Sequence, residues 1–366
     1  MRILHLDPDD MDNPLSGGGP VRTFEIYRRL AERHEVTVLT PTFPGCTREK
    51  IRDGIRYIRI GKKIGNHGSS HHITYFLSLP GEILRRKFDI LVEDFMPPAS
   101  ATMNPLFTNR PVVASVQWFF AEALSRQYRL PFFFGERLGI RLYRRFVVLT
   151  ETMKNLILKR HPRAQCYVIP NGVPEELFDI RPEFGDYMLY LGRVDFGQKG
   201  VDLLLKALSS IPARKRLPLI LAGHTFQFER LSSMLRDLSL ENWVNYIGRA
   251  GPDQRMELMR SCRFVCVPSR EETFGMVITE ACASGKPAVI FDRAPMNEVS
   301  GPGCLAARPY DVDDYAGQIN LLTEATETEL MERSQNCKQW AEHFRWDALA
   351  LRQEDFYRQA YQGKDN

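Results

Sequence analysis

Short apolar runs alternate with helical patterns along most of the 366-residue chain. The stretch RILHL at 2–6 precedes a glycine-bearing loop, a helical stretch and the apolar run EVTVLTP at 35–41. Near the other end, RFVCVP at 263–268 precedes a loop, a helical stretch and KPAVIF at 286–291. Strands that alternate with helices predict an α/β fold with parallel sheets. The length predicts about two domains.

Composition narrows the class of protein further. Hydrophobic residues make up 43% of the chain, which is enough for two cores, and a net charge of +4 is too mild to indicate nucleic-acid binding. The seven cysteines include no CxxC pair, so we expect reduced thiols and a cytoplasmic location. MRILHLDP at the start predicts a strand rather than a signal peptide. Apolar runs stay shorter than a membrane span, so we expect any membrane contact to be peripheral.

The stretch PSREETFGMVITEACASGKP at 268–287 has the composition of a binding site. A buried strand ends at its first proline, and a helix is predicted from about Phe274. The first turn of such a helix offers free N–H groups to an anion, and Gly275 allows a ligand to approach the backbone. The carboxylates of Glu272 and Glu280 suit pairs of sugar hydroxyls. Without its flanking pattern, the same spacing would indicate only two solvated glutamates.

A second charged motif, LGRVDFGQKG, occupies residues 191–200. Arg193 is predicted at the end of a strand and Lys199 at the start of the next helix. Both would point to the same edge of the sheet as the two glutamates. A planar guanidinium and a compact ammonium together can hold a diphosphate and stabilise the negative charge that develops as it leaves. The alternative for either cation alone is a surface salt bridge.

These motifs carry a family resemblance. E-x7-E followed by GKP, GR-V-x4-KG, and IPNGV at 169–173 resemble the donor-site signature of retaining GT-B glycosyltransferases of the GT4 type. The resemblance implies two Rossmann-like domains whose parallel sheets face each other across a cleft, with a last helix that crosses back to the first domain. We therefore expect an acceptor domain at 1–180, a donor domain at 181–345 and a C-terminal helix at 346–366. The segment 169–186, rich in turn residues, is predicted as the linker.

The resemblance also implies roles for individual residues. Arg193 and Lys199 would hold the diphosphate of a nucleoside-diphosphate sugar, Glu280 its ribose, and Glu272 the transferred sugar. A front-face mechanism would let the leaving phosphate accept the acceptor's proton. No cofactor and no metal are expected. The remaining donor-side residues are Gly18 and Gly19 at the diphosphate, Gly248 and Arg249 near the base, the backbone of Phe274, Gly275 and Met276 at the sugar, and Val277. The alternatives are a simple turn for the glycines and a plain strand end at Gly248.

The acceptor side departs from the family pattern. Many GT4 enzymes have a histidine where this chain has Gln117, followed by Trp118. Glutamine can hydrogen-bond a hydroxyl but cannot take its proton, so the acceptor base stays unassigned. His71 and His72 could belong to an acceptor-side loop, or to a polar loop without a role. A metal site there is disfavoured because Gly68-Ser69-Ser70 interrupts the helix that would align two histidines.

The segment 118–145 combines arginines with aromatic residues. Core packing with a solvated basic face is the favoured interpretation. The alternative is contact with an anionic bilayer, with phenylalanines at 119–120 and 132–134 as the apolar part. The predicted basic face comprises Arg137, Arg141, Arg144 and Arg145, and the predicted apolar face comprises Phe134, Leu138 and Leu142.

The leading hypothesis is a retaining glycosyltransferase that moves a sugar from a UDP- or GDP-linked donor to an acceptor hydroxyl. The acceptor could be a sugar, a lipid-linked molecule or a small metabolite. Two alternatives stay open: a sugar-nucleotide epimerase of related fold, which would need no acceptor, and a non-catalytic sugar-nucleotide-binding protein. Neither the donor base nor its sugar follows from the sequence.

Overall fold

The computed structural model describes residues 1–14, 16, 19–62, 70–95, 103–117, 121, 125 and 132–363. The chain forms two compact units: unit 1 combines residues 1–172 with the C-terminal segment from Trp346, and unit 2 comprises Val173–Arg345. The change of unit at 172/173 lies inside the segment predicted as a linker. Both units have α/β architecture with parallel sheets, so the predicted fold class is confirmed.

Unit 1 is built on an eight-stranded sheet in the described part of the chain, with the order β3-β4-β2-β1-β5-β6-β7-β8. All neighbours pair in parallel except β3 and β4, which form a hairpin. The left-handed conformations of Asp53 and Gly54 at its turn explain the hairpin. The strands are β1 (Arg2–Leu6), β2 (Glu35–Pro41), β3 (Glu49–Arg52), β4 (Ile55–Ile60), β5 (Ile90–Asp94), β6 (Val112–Val116), β7 (Arg145–Val148) and β8 (Gln165–Val168).

The described helices of unit 1 cover this sheet. Alternate residues of the strands, such as Ile3 and Val92, are buried together with Tyr27 of the first helix and Trp346 and Tyr357 of the last. The helices are α1 (Gly19–Leu30), α2 (Ser70–Arg85), α3 (Phe132–Leu142), α4 (Glu151–Arg160) and, after unit 2, α12 (Trp346–Gln362).

Unit 2 contains a six-stranded parallel sheet with the order β11-β10-β9-β12-β13-β14. Its four inner strands are short and buried on both faces, as is typical of parallel sheets covered by helices. The strands are β9 (Met188–Leu191), β10 (Leu219–Ala222), β11 (Val244–Gly248), β12 (Phe264–Val267), β13 (Ala288–Phe291) and β14 (Leu305–Ala307). The helices are α5 (Val201–Ser210), α6 (Phe228–Asp237), α7 (Pro252–Ser261), α8 (Met276–Ala283), α9 (Met296–Val299), α10 (Val312–Glu324) and α11 (Glu327–Ala341).

The last helix, α12, returns to unit 1 and packs against α1. A buried polar chain links the two helices. Arg22 Nη2 donates to Gln353 Oε1 at 2.9 Å, and Gln353 Nε2 donates to the Tyr357 hydroxyl at 2.6 Å, which lies 3.2 Å from the hydroxyl of Tyr27. Trp346 packs directly on Gly172, where a side chain would collide with the indole. The fold thus fixes α12 through hydrogen bonds as well as apolar contacts.

The prediction that Phe134 and Leu138 face the core is wrong. Phe134 is 61% exposed and Leu138 is 49% exposed, and α3 instead buries Glu136 and Ile140. Glu136 accepts hydrogen bonds from Ala121 N at 3.2 Å and Arg160 Nη1 at 3.0 Å. A buried carboxylate is costly unless it is hydrogen-bonded, so the side of α3 that carries Glu136 faces its donors inside the protein. The side that carries Phe134 therefore faces solvent.

Two arginines of this segment also differ from prediction. Arg145 opens β7, so its placement on a helical face is wrong, and Arg144 lies between the helix and the strand. Arg137 and Arg141 are exposed on α3, on the same side as Phe134 and Leu138. Basic and apolar side chains therefore share one exposed face.

A stability prediction follows from Glu354 on α12. Its carboxylate accepts from Arg33 Nη2 at 2.6 Å and Arg358 Nη2 at 2.6 Å, and His34 Nε2 lies 2.9 Å away. The hydrogen bond from Arg33 is the largest of the effects that lower the pKa of Glu354 to about 2, from 4.5. A lowered folded-state pKa stabilises the fold above pH 4.5, and this contribution is lost as the pH falls towards 2.

We expect Glu354→Gln to lower the free energy of unfolding at pH 7 by about 3 kcal/mol and to flatten its decline in acid. Urea unfolding followed by circular dichroism, at pH 7 and at about pH 3, measures both effects. The matched control is Glu32→Gln, which removes an exposed carboxylate from the same unit. Equal acid sensitivity of Glu354→Gln and the unaltered protein would contradict the assignment.

Candidate active site

The carboxyl ends of β9, β10, β11 and β12 meet at one edge of the unit 2 sheet, because these strands are parallel neighbours. In open α/β sheets this edge is where ligands bind. The loops after β9 and β12 carry the cation and carboxylate motifs recognised in the sequence.

The loop after β9 is shaped by Asp195. Its Oδ1 accepts hydrogen bonds from the backbone N–H of Gln198 at 2.6 Å and of Lys199 at 3.2 Å. Gly200 follows in the left-handed conformation, and a side chain there would collide with the carbonyl oxygen of Pro268. Gly200 therefore permits the loop after β9 to lie directly against the loop after β12.

Glu272 and Lys199 are in direct contact. Lys199 Nζ donates to Glu272 Oε1 at 2.7 Å, and Ser269 Oγ donates to the same oxygen at 2.7 Å. Both side chains keep some exposure, so solvent or a ligand can reach them. The structure thus brings together two residues that are 73 positions apart and that the sequence analysis assigned to one donor site.

Arg193 belongs to the same loop. Its guanidinium donates from Nη2 to Gln198 Oε1 at 2.6 Å, and its carbonyl oxygen accepts from the hydroxyl of Tyr190 at 2.6 Å. The side chain is exposed. Arg193 and Lys199 therefore put two positive charges on one short loop, with Gln198 between them in the sequence and in contact with Arg193.

An ion pair that the sequence analysis missed ties the two loops together. Arg270 donates from both terminal nitrogens to the carboxylate of Asp202 at 2.7 Å each, and its Nη1 also reaches the carbonyl oxygen of Phe196 at 2.7 Å. The backbone N–H of Arg270 donates to the carbonyl oxygen of Gln198 at 2.8 Å. A fork-to-carboxylate pair is geometrically specific, so it fixes the relative position of Lys199 and Glu272.

Helix α8 begins directly after Gly275, which adopts a left-handed conformation (φ 98°). Phe274 is buried and packs edge-on against Phe344, with ring centroids 6.0 Å apart. The Phe274 side chain is thus an anchor of the loop, and only its backbone could meet a ligand. Met276 and Val277 form the half-buried first turn, whose N–H groups lie at the positive end of the helix.

Glu280 lies further along α8 in a different environment from Glu272. Its carboxylate is buried and accepts from Arg255 Nη2 of α7 at 3.1 Å. Burial raises the pKa of Glu280, and the nearby Arg255 opposes that rise. The sequence analysis did not identify Arg255, because a lone arginine on a helix carries no local signal. Among the described residues, no hydrogen bond or ion pair joins Glu280 to Lys199 or to Glu272.

The ends of β10 and β11 form the remaining part of this edge. Gly223 N donates to the carbonyl oxygen of Gly248 at 2.7 Å, and a side chain on Gly223 would collide with the backbone of Gly192. Arg249 is exposed next to this contact. Phe226, in the loop after β10, is 86% exposed and stands edge-to-face with His224 at 4.3 Å. An apolar ring in solvent at this edge is a further feature that the sequence analysis did not identify.

Unit 1 carries the predicted acceptor-side residues and also Gly18 and Gly19, which were predicted at the donor diphosphate. Gly19 is the first residue of α1 and has open space where a side chain would project, which suits close approach of a ligand. Gln117 follows β6 and is half-buried. His71 and His72 lie in the first turn of α2, and burial followed by the neighbouring His71 lowers the pKa of His72. Gly18, Trp118 and the phenylalanines at 119–120 lie outside the described residues.

A buried acidic pair also occupies the carboxyl edge of the unit 1 sheet. Asp7 follows β1 and Asp94 ends the neighbouring β5, and burial followed by the like charge of Asp94 raises the pKa of Asp7 well above its usual range. His5 Nε2 lies 3.2 Å from Asp94 Oδ1, and His5 Nδ1 lies 2.7 Å from the hydroxyl of Tyr27. Asp7 therefore retains its proton to a higher pH than an exposed aspartate does. Their positions just after predicted strands were the available sequence signal.

Within the described residues, two clusters have the ligand types and spacing that could hold a metal ion. One is His5, Asp7 and Asp94, whose members are already engaged in the hydrogen bonds of unit 1. The other consists of Cys282, Cys304 and Cys337 in unit 2. Neither cluster includes a residue of the Lys199–Glu272 contact.

Two α/β units, each built on a sheet of mainly parallel strands, with a paired cation and carboxylate at the edge of the second sheet, have the features of a GT-B type of architecture. Two family models match the chain: "Glycosyltransferase Family 4" over residues 16–177 and "Glycosyl transferases group 1" over residues 174–343. Together they span most of the chain. The protein belongs to the GT4-type glycosyltransferases.

Curated relatives agree with this assignment. The uncharacterized glycosyltransferase MJ1178 of Methanocaldococcus jannaschii is 26% identical over 209 residues, which is 57% of this chain and 57% of that protein. Phosphatidyl-myo-inositol mannosyltransferase of Mycolicibacterium smegmatis is 27% identical over 347 residues, which is 88% of this chain and 84% of that protein. The chain thus spans little more than half the length of MJ1178 but most of the mannosyltransferase.

Solved structures share the fold across the whole chain. Sucrose-phosphate synthase from Thermosynechococcus elongatus superposes with a TM-score of 0.77 at 18% identity, covering 99% of this chain and 100% of that one. HepE from Anabaena, solved in complex with UDP and glucose, has a TM-score of 0.74 at 18% identity, covering 98% and 99%. At this level of identity the likeness establishes the GT-B fold.

The contacts of Arg270 with Asp202 and Phe196, which clamp the loop after β9, lead to a testable prediction. Arg270→Lys keeps the charge but loses the two-pronged contact with Asp202 and the carbonyl contact with Phe196, so the loop after β9 should open more often. We expect amide hydrogen exchange in residues 193–203 to become at least about tenfold faster, because the lost hydrogen bonds are worth about 1–3 kcal/mol. Mass spectrometry of the exchanged peptides measures this change.

The control is Arg214→Lys, an exposed arginine of the same unit. It should leave exchange in residues 193–203 unchanged. Unchanged exchange in Arg270→Lys itself would show that the clamp does not hold the loop.

Proposed function

We propose that this protein transfers a mannosyl or glucosyl residue from a UDP- or GDP-linked donor to an acceptor hydroxyl, with retention of the anomeric configuration. The observation that carries the proposal is the contact between Lys199 and Glu272, with Arg193 on the same loop, in a member of the GT4-type family. A phosphate-binding cation and a hydroxyl-binding carboxylate at one sheet edge match the two ends of a sugar diphosphate.

The donor-side roles follow from charge and reach. Lys199 and Arg193 bind the diphosphate and stabilise the charge that grows on it as the sugar leaves, so no metal is required for this step. Glu272, which now accepts from Lys199, accepts instead from sugar hydroxyls when phosphate oxygens occupy the ammonium. Glu280 accepts from the ribose hydroxyls, and Arg255 opposes the rise in the pKa of Glu280 that burial causes.

The choice of donor and acceptor draws on relatives. The smegmatis relative is named for mannosyl transfer to phosphatidyl-myo-inositol, and the HepE structure holds UDP and glucose. A lipid-linked acceptor bearing a polyol or sugar is therefore the acceptor class we propose for this chain, with Gln117 and the Asp7–Asp94 pair on its side. We propose no nucleic-acid partner for this chain.

The donor proposal is tested with a thermal-shift panel of UDP-, GDP-, ADP- and dTDP-sugars in the presence of EDTA. A ligand that binds the folded state raises the melting temperature by mass action. We expect one donor to raise it without metal, and Lys199→Ala to weaken that donor's affinity roughly ten- to hundredfold, because a charged hydrogen bond to phosphate is lost.

Lys206→Ala is the matched control, since Lys206 is exposed on α5. It should bind the donor as the unaltered protein does. Transfer to a phosphoinositide acceptor, followed by product analysis, then separates the alternatives. Donor rearrangement without acceptor would indicate an epimerase, and binding without any turnover would indicate a sugar-nucleotide sensor; either result overturns the proposal.

We further propose that α3 rests on the surface of an anionic membrane at its cytoplasmic side. Its exposed face combines Phe134 and Leu138 with Arg137 and Arg141, and Arg137 lies over the ring of Phe133 at 5.5 Å. Apolar side chains can enter the lipid boundary while arginines contact acidic headgroups. No described helix is both long and apolar enough to span a bilayer. A lipid-linked acceptor would be reached from such a position.

We expect the protein to co-sediment with vesicles of equal parts phosphatidylcholine and phosphatidylglycerol, and only weakly with pure phosphatidylcholine. The double variant Phe134→Ser and Leu138→Ser should lose binding to the anionic vesicles at least about tenfold, because burial of two apolar side chains contributes several kcal/mol. Arg137→Ala with Arg141→Ala should lose about as much.

The control double variant, Lys159→Ala with Arg163→Ala, removes the same charge from exposed positions outside α3. It should retain vesicle binding. If it loses as much binding as the α3 variants, net charge rather than this helix face governs the interaction, and the proposal fails.

A further inference from the structure

Three cysteines of unit 2 converge although they are far apart in the sequence. Cys282 lies on α8, Cys304 directly precedes β14, and Cys337 lies on α11. Their sulfur atoms all lie within 4.8 Å of one another, and those of Cys282 and Cys304 are 3.6 Å apart. Cys282 and Cys337 are fully buried, whereas Cys304 is half-buried.

The spacing of the three sulfur atoms fits a shared ion better than a disulfide. A disulfide requires a sulfur–sulfur distance of about 2.05 Å. Two thiolates that bind one zinc-like ion at about 2.3 Å, at tetrahedral or trigonal angles, stand about 3.8–4.0 Å apart. The distances here, from 3.6 Å to at most 4.8 Å, bracket that value. An ion can therefore sit among the sulfur atoms with only small side-chain adjustments.

Two polar groups of the chain lie beside the three cysteines. The backbone N–H of Ala288 points to Cys304 Sγ at 3.4 Å, and Arg333 donates from Nη1 to the carbonyl oxygen of Gly303 at 3.3 Å. The guanidinium thus binds the residue next to Cys304 and brings one positive charge close to this part of the chain. Gly303 itself permits this approach, since a side chain there would collide with Cys337 Sγ.

We propose that Cys282, Cys304 and Cys337 form a binding site for one thiophilic cation of the Zn²⁺ or Cd²⁺ class. Three thiolates supply three ligands, and the partly exposed side at Cys304 leaves the fourth position to water. Binding displaces the thiol protons into solvent, so affinity falls as the pH is lowered. The ion would join α8, α11 and the segment before β14. Because α8 also carries Glu280 and begins at Gly275, the site would stabilise the helix on which two donor-side residues depend.

The test titrates the reduced, metal-free protein with Cd²⁺ under anaerobic conditions. We expect a sulfur-to-cadmium charge-transfer absorbance that saturates at one ion per chain, a raised melting temperature, and a loss of the absorbance on acidification. Zn²⁺ should displace the cadmium signal. A competing chromophoric chelator then gives the affinity for Zn²⁺.

Cys337→Ala and Cys304→Ser should each abolish the saturating signal. Cys304→Ser alters a half-buried position, so it keeps the test valid if the buried alanine variant fails to fold. Cys166→Ala, which removes a thiol of unit 1, is the matched control and should bind one ion as before. Absence of the charge-transfer signal, or its persistence in Cys304→Ser, would overturn the proposal. The readout does not use glycosyl transfer, so it is independent of the proposed function.

Discussion

The donor-side geometry of this protein depends on the ion pair between Arg270 and Asp202. Lys199 and Glu272 belong to loops 73 positions apart, and each loop alone would have many conformations. The two-pronged contact of Arg270, together with its backbone hydrogen bond to Gln198, removes most of that freedom before any ligand arrives. A site held in place in this way can spend binding energy on the ligand rather than on ordering its own loops.

Much of the fold could be predicted because the deciding signals are local. The strands β1, β2 and β4 occupy the apolar runs that the sequence offers, and α8 begins at the glycine that the motif places there. That Lys199 and Glu272 lie at one edge was also expected, since parallel strands bring their carboxyl ends together, but their direct contact was not. The position of Arg193 and Lys199 at this edge could be predicted from their motif and the parallel topology alone.

The sequence could not predict which side chains become interaction partners through tertiary packing. Helix α3 has apolar residues on one side and a glutamate on another, and its orientation is decided by Arg160, which satisfies Glu136 from a different helix. Arg255 and the Asp7–Asp94 pair depend in the same way on neighbours remote in sequence. The three clustered cysteines have no short spacing at all, so their convergence appears only when α8 and α11 are packed together.

The two glutamates of the E-x7-E motif illustrate how one spacing produces two environments. Gly275 turns the chain between them, so Glu272 stays in a loop while Glu280 falls on the second turn of α8. Glu272 accepts two hydrogen bonds at a partly exposed position, and both donors, Lys199 and Ser269, are small or flexible enough to release it. Glu280 is buried with Arg255 as its recorded ionic partner, and its pKa is raised. In the function we propose, the first carboxylate is the one that exchanges hydrogen-bond partners, and the second keeps one set.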